Sequence, residues 1–122
     1  MQWKYYKNND TLLTAAMHVG IDLISPERFR SITDEQHDHW DHVFSSAEWV
    51  YAFRDANSAQ HLAALFAMKE AAMKASGEVG AKNYRTFEIS HTSEGAPQLN
   101  REGMCVSVSH HEDMVVAVVI VL

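Results

Sequence analysis

One helical stretch and one upstream aspartate carry the residue types for chemistry on phosphate. In "FAMKEAAMKASGEVG" (Phe66–Gly80), alanine, methionine and phenylalanine suit a buried helix, yet Lys69, Glu70 and Lys74 interrupt it. At about 100° per residue, Leu62, Leu65, Phe66 and Met73 form one stripe. Lys69 falls inside that stripe, a poor place for an ammonium unless it reaches a polar cleft or snorkels. Glu70 and Lys74 share the flank with Ala63 and Ala67, small side chains that let another element approach. As a plain surface pair they would contribute only about 0.3–0.5 kcal/mol. The segment "HVGIDLI" (His18–Ile24) points to more. It alternates as a strand, with Val19, Ile21 and Leu23 on one face and Gly20, Asp22 and Ile24 on the other. Packing Asp22's face on the alanine lane would bring Asp22 to Glu70. Two carboxylates with open positions suit Mg²⁺, which keeps several waters and takes phosphate oxygens as further ligands. Adjacent lysines suit the remaining phosphate charge. The pattern asks for a phosphorylated substrate.

The elements that must position these groups are legible in outline. After the strand, Ser25 is a natural N-cap and Pro26 a natural first helical residue, and a helical pattern continues to about Val43. Ser45 and Glu48 have capping-box spacing and open a short helix through Phe53. The main helix spans Ser58 to Ser76, with Gly77 as its stop. "RTFEIS", "MCVSVS" and "MVVAVVIVL" read as strands, the last apolar enough for a central position, with turns at "SEGAP" and "HHED". Strands, then helices, then strands define a single α+β domain, an antiparallel sheet packed against a long helix. Residues 1–17 form an N-terminal extension in which Trp3, Tyr5 and Tyr6 suit an extra strand, ahead of a domain at 18–122.

Composition sets the outer bounds. The 122 residues fit one domain, 47% hydrophobic and 21% charged. A core of this size leaves room for a cleft completed by a neighbouring subunit. The formal charge of −6 argues against a nucleic-acid partner. No apolar run reaches the length of a membrane span, and the N-terminus lacks the apolar core of a signal peptide. Cys105 is the single cysteine, which fits a reducing compartment, and a cytoplasmic protein is expected. With no activating motif beside it, Cys105 is expected to be a small core residue.

Five blocks meet a known family in order: "GIDLISPERF", "FSSAEWVYAF", "FAMKEAAMKASG", "GAPQL" and "VSVSHHEDMVVAVVIV". Over residues 18–122 the chain resembles holo-acyl-carrier-protein synthases, the small 4'-phosphopantetheinyl transferases. The resemblance implies their fold and their activity. The 4'-phosphopantetheine arm of coenzyme A moves to a serine of an apo acyl carrier protein, and adenosine 3',5'-bisphosphate is released. It implies Asp22 and Glu70 as Mg²⁺ ligands, with Glu70 also helping to deprotonate the incoming serine. Lys74 resembles the residue that neutralises the phosphates and protonates the leaving group. Lys69 resembles a lysine near the coenzyme A phosphates, His110 a histidine close to the nucleotide, and Arg28 an arginine that contacts the acidic carrier helix. Relatives of this size commonly form trimers with sites between subunits, so a homo-oligomer is expected.

Two departures stand out. Leu65 occupies a position, four before the Lys69–Glu70 pair, that is usually basic, so one phosphate contact is lost or supplied elsewhere. The acidic net charge departs from relatives that serve fatty-acid carriers and suggests a specialised carrier. These motivate an alternative, a catalytically weak relative that binds a carrier or nucleotide without turnover. A third reading uses His37, His39 and His42 in "EQHDHWDHVF", where His37/Asp41 and Asp38/His42 have i,i+4 metal-ligand spacing. A solvated polar face around Trp40 explains that cluster more simply. Arg30 and Arg54 are candidates to join Arg28 in a basic patch, and His111 reads as a turn residue.

Overall fold

The computed structural model describes residues 17–122. The strand expected at Trp3, Tyr5 and Tyr6 lies outside the described residues. Strand β1 (His18–Ile24) leads through a 3-10 turn (Pro26–Phe29), a second one (Asp34–Gln36) and a single helical turn, α1 (His37–Trp40), to helix α2 (Ser46–Ala52). Helix α3 (Ser58–Ser76) follows, then a 3-10 segment (Ala81–Thr86), a small hairpin of β2 (Ile89–His91) and β3 (Pro97–Leu99), and strands β4 (Met104–His111) and β5 (Met114–Val121). The main sheet is antiparallel in the order β1-β5-β4, so the apolar C-terminal strand is central as its composition implied.

Helix α3 lies across one face of this sheet, mainly on β1 and β5. Gly20, Asp22 and Ile24 face it from β1, and Val115, Ala117 and Val119 from β5. The approach is close because both sides are small. A Cβ on Gly20 would stand 2.0 Å from the Ala71 carbonyl oxygen and 2.7 Å from the Ala75 nitrogen. The other flank of α3 buries Leu62, Leu65, Phe66, Met68 and Met73. Each such side chain contributes roughly 1.5–3 kcal/mol when fully buried. Phe29 joins Phe66 and Phe44 at centroid distances of 5.6 and 6.4 Å, closing the core. Gly77 ends α3 at φ 77°, donating to the Met73 carbonyl. No helix among the described residues is long and apolar enough to cross a membrane.

Four expectations are revised. The helix expected from Ser25 to Val43 is broken into short turns. Ser25 does cap the first, through Glu27 N, but the chain is recapped at Thr33, whose N–H donates to Gln36 Oε1 at 2.8 Å. The strand expected at "RTFEIS" is reduced to Ile89 onward. The carbonyls of Tyr84 and Phe87 accept from the Lys69 ammonium instead of entering a ladder. Cys105 is exposed, not in the core, because it alternates with the inward-facing Met104 and Val106 on β4. Strand β4 also runs on through His110 and His111, and the chain turns at Glu112, φ 54°.

Candidate active site

Strand β1 and helix α3 together bury one carboxylate. Asp22, 2% exposed, follows from the alternation of β1 and the small lane of α3. Lys74 Nζ donates to Asp22 Oδ1 at 3.2 Å and to the Ile21 carbonyl at 2.8 Å. Asp22 Oδ2 is buried with no hydrogen-bond partner. Burial lifts the Asp22 carboxyl above the usual carboxylate range, Lys74 opposes the rise, and the nearby Glu70 charge reinforces it. An unpartnered carboxylate oxygen beside a second carboxylate is a costly arrangement for the protein alone. It is the arrangement a divalent cation would complete. Among the described residues no three His, Cys, Asp or Glu side chains converge on one point. A two-carboxylate set fits Mg²⁺, which leaves positions for water and phosphate oxygens.

Glu70 is half-buried beside this pair, and Tyr84 donates its phenol to Glu70 Oε1 at 2.5 Å. Burial and then Glu70 push the phenol's pKa well above its ordinary value, so it stays a donor. The Tyr84 ring stacks on Phe66, centroids 5.2 Å apart, and the exposed Arg28 guanidinium lies 5.1 Å from the Phe66 centroid. Arg28 also contributes a positive charge at Asp22. Of the expected set, Lys74 therefore contacts Asp22, and the charges of Glu70 and Arg28 both act on it.

Lys69 is placed elsewhere. Its ammonium is fully buried, paired with Glu48 Oε1 at 2.9 Å and donating to the Tyr84 and Phe87 carbonyls at 3.0 and 2.6 Å. Burial lowers its pKa, and Glu48 opposes the fall. Glu48 is satisfied in turn by the N–H groups of Ser45 and Ile89, both at 2.9 Å. Lys69 neither snorkels nor enters the cleft, and this ammonium has no exposed surface to offer a phosphate. The capping-box spacing identified Glu48 as a helix cap, and it is one, but its second role as the counter-ion of Lys69 left no sequence signal.

His110 sits on a different flank of α3. It lines a cavity of about 180 Å³ with His61, His91, Tyr51, Leu65 and Met68. Tyr51 and His91 stack at 3.8 Å and 6°, and the Arg54 guanidinium lies 3.9 Å over the Tyr51 ring. Burial, with Arg54 and His61 nearby, lowers the His91 pKa. The cavity thus meets Leu65, the apolar departure, with three imidazoles. Leu65 and Lys74 are nine positions apart, about 180° around a helix. The His110 cavity and the Asp22–Glu70 pair of one chain therefore face different ways.

The weaker signals resolve locally. His37 Nε2 lies 3.0 Å from the Phe44 carbonyl, and its ring stacks on Trp49 at 4.9 Å. His39 and His42 flank the half-buried Trp40, both exposed. Arg30 pairs with Glu27 at 2.7 Å, and the Arg54 guanidinium lies 3.9 Å over the Tyr51 ring.

Comparison with known proteins places the chain in a family. Residues 18–119 match the model of the 4'-phosphopantetheinyl transferase superfamily. A holo-[acyl-carrier-protein] synthase of Thermodesulfovibrio yellowstonii is 32% identical over 108 residues, covering 84% of this chain and 96% of the relative. One from Geobacter metallireducens is 32% identical, with 83% and 93% covered. The crystal structure of Helicobacter pylori holo-[acyl-carrier-protein] synthase in complex with coenzyme A superposes with TM-score 0.72 at 25% identity, covering 85% of this chain and 99% of that one. The chain belongs to the 4'-phosphopantetheinyl transferase superfamily, as a transferase of the holo-acyl-carrier-protein synthase type.

Proposed function

We propose that this enzyme transfers the 4'-phosphopantetheine arm of coenzyme A to a serine of an apo acyl carrier protein, with Mg²⁺ held by Asp22 and Glu70. The observation that carries the cation site is the buried, unpartnered Oδ2 of Asp22, with the Glu70 charge felt beside it. In the reaction a bond forms from the serine oxygen to the β-phosphorus of coenzyme A. The bond from that phosphorus to the bridging oxygen breaks, and adenosine 3',5'-bisphosphate leaves. Bound Mg²⁺ would supply Lewis-acid stabilisation of the charge on the leaving phosphate. Glu70 accepts the serine proton, a role worth typically 10²–10⁴-fold. Lys74, fixed against Asp22 and the Ile21 carbonyl, lends its charge to the phosphates and a proton to the leaving oxygen. Arg28, exposed at the rim, meets an acidic carrier surface.

We assign the nucleotide end to the surface around His110, where imidazoles and the Tyr51–His91 stack offer donors and flat rings; the cavity of one chain, about 180 Å³, would hold only part of it. Since that cavity and the carboxylates of one chain face apart, a second copy completes each site. The outer sheet face supports self-association. Val19, Ile21 and Leu23 are 57%, 57% and 50% exposed, beside Val116, Val118 and Ile120 of β5. Contiguous exposed apolar side chains on β1 and β5 are the kind of surface that pairs with another protein surface. A homotrimer, working in the cytoplasm, is the assembly the resemblance favours.

The test is product analysis. Coenzyme A, Mg²⁺ and an apo carrier are incubated with the enzyme, and adenosine 3',5'-bisphosphate is followed by chromatography. Release that needs the carrier and stops with a chelator supports the proposal. Carrier binding without release would instead indicate a non-catalytic relative.

A further inference from the structure

We propose that Tyr84 is a positioning residue, clamping the Glu70 carboxylate so that its second oxygen is presented to the cation. The inference rests on the cation reading of Asp22 and Glu70 and deepens it. Glu70 stands at the edge of the core with three side-chain torsions, and nothing on α3 itself fixes its head group. Tyr84 supplies the constraint from another element, donating to Oε1 at 2.5 Å, while Oε2 has no hydrogen bond among the described residues.

Tyr84 is itself held at both ends. Its ring stacks on Phe66 at 5.2 Å, and its backbone carbonyl accepts from Lys69 Nζ at 3.0 Å. Lys69 is anchored on Glu48 at 2.9 Å and also grips the Phe87 carbonyl. Two neighbours on α3 therefore engage one residue of the 3-10 segment, Lys69 by its main chain and Glu70 by its hydroxyl. Lys69 fixes the backbone, the phenol follows, and the carboxylate is oriented in turn. Partners that orient a metal ligand in this way typically contribute 10–100-fold in metal affinity or activity.

Tyr84→Phe removes the donor while keeping the ring on Phe66. Mn²⁺, whose free ion is read by electron paramagnetic resonance, serves as the probe on whole protein without coenzyme A or carrier. Wild type, Tyr84→Phe and Glu70→Gln are titrated, and unfolding midpoints are recorded without metal. We expect roughly 10–100-fold weaker Mn²⁺ binding in Tyr84→Phe with an unchanged midpoint. In the transfer assay the half-saturating Mg²⁺ concentration rises in step, while kcat at saturating Mg²⁺ returns toward wild type. A merely structural role would not produce that split. Equal Mn²⁺ affinity in wild type and Tyr84→Phe overturns the clamp alone. Weakening by Tyr84→Phe but not by Glu70→Gln shows that Tyr84 does not act through Glu70, which also overturns it. Absence of Mn²⁺ binding in the wild type sinks the cation reading and the clamp with it.

Discussion

Asp22 shows how a residue can be expensive to the fold and useful to the site. Its carboxyl is lifted by burial, so the ionised form costs folding energy at neutral pH, a cost that the proposed cation at Oδ2 would offset. The residue was legible because strand alternation puts it opposite Val19, Ile21 and Leu23, and Glu70 and Lys74 because helical spacing puts them on one flank. Tyr84 was not, since it reaches Glu70 from fourteen residues downstream across a non-repetitive segment. Lys69 was visible as an anomaly in an apolar stripe, but its partner Glu48 lies 21 positions away, and no local rule connects them. At this scale His91 carries a pH prediction. Its folded pKa lies below the ordinary 6.5, chiefly through burial. The unfolded chain therefore binds more protons in the window beneath 6.5, and stability falls as pH drops through it. Urea unfolding at stepped pH between 5 and 7.5 should show that loss, with a shallower slope in His91→Gln. An unchanged slope would remove His91 as its cause.

At the scale of elements, two contacts hold the site together. The first is the Lys69–Glu48 pair, which ties α3 to α2 and to the chain leading into β2. Lys69→Met would leave Glu48 buried without its counter-ion, a loss of about 3–5 kcal/mol. Urea unfolding measures it, and pairing the change with Glu48→Gln should recover part of the loss. The second is the crossing of β1 over α3 at Gly20. Gly20→Ala forces a methyl into the Ala71 and Ala75 backbone, and overpacking of this kind costs about 1–3 kcal/mol. It should also push Asp22 outward, so transfer should fall along with the unfolding midpoint. Strands β1, β4 and β5 and helix α3 were readable because each runs for seven or more residues with a clear apolar pattern, whereas the three-residue strands β2 and β3 are too short to carry one. The chain between β1 and α2 was not, because its helical composition is overridden by fresh caps at Thr33 and by the aromatic cluster of Phe29, Trp40 and Phe44.

At the scale of the molecule, the sheet has one face on α3, and among the described residues its other face exposes apolar side chains of β1 and β5 beside the serines of β4. The composition of β5 suggested burial on both sides, and one described chain supplies only one. In the proposed assembly a second copy would supply the other and complete the site. Ile21→Lys places a charge in the middle of that face. Sedimentation should show wild type as an oligomer and this variant as a smaller species, with transfer lost although Asp22 and Glu70 are intact. A wild-type monomer with full activity would contradict the shared site. The most direct test of the whole scheme is the intact mass of an apo carrier after incubation with coenzyme A and Mg²⁺. With wild-type enzyme the carrier should gain one phosphopantetheine arm, and with Glu70→Gln the rate should fall by about 10²-fold or more. A carrier left unmodified by wild type, or modified at full speed by Glu70→Gln, would contradict it.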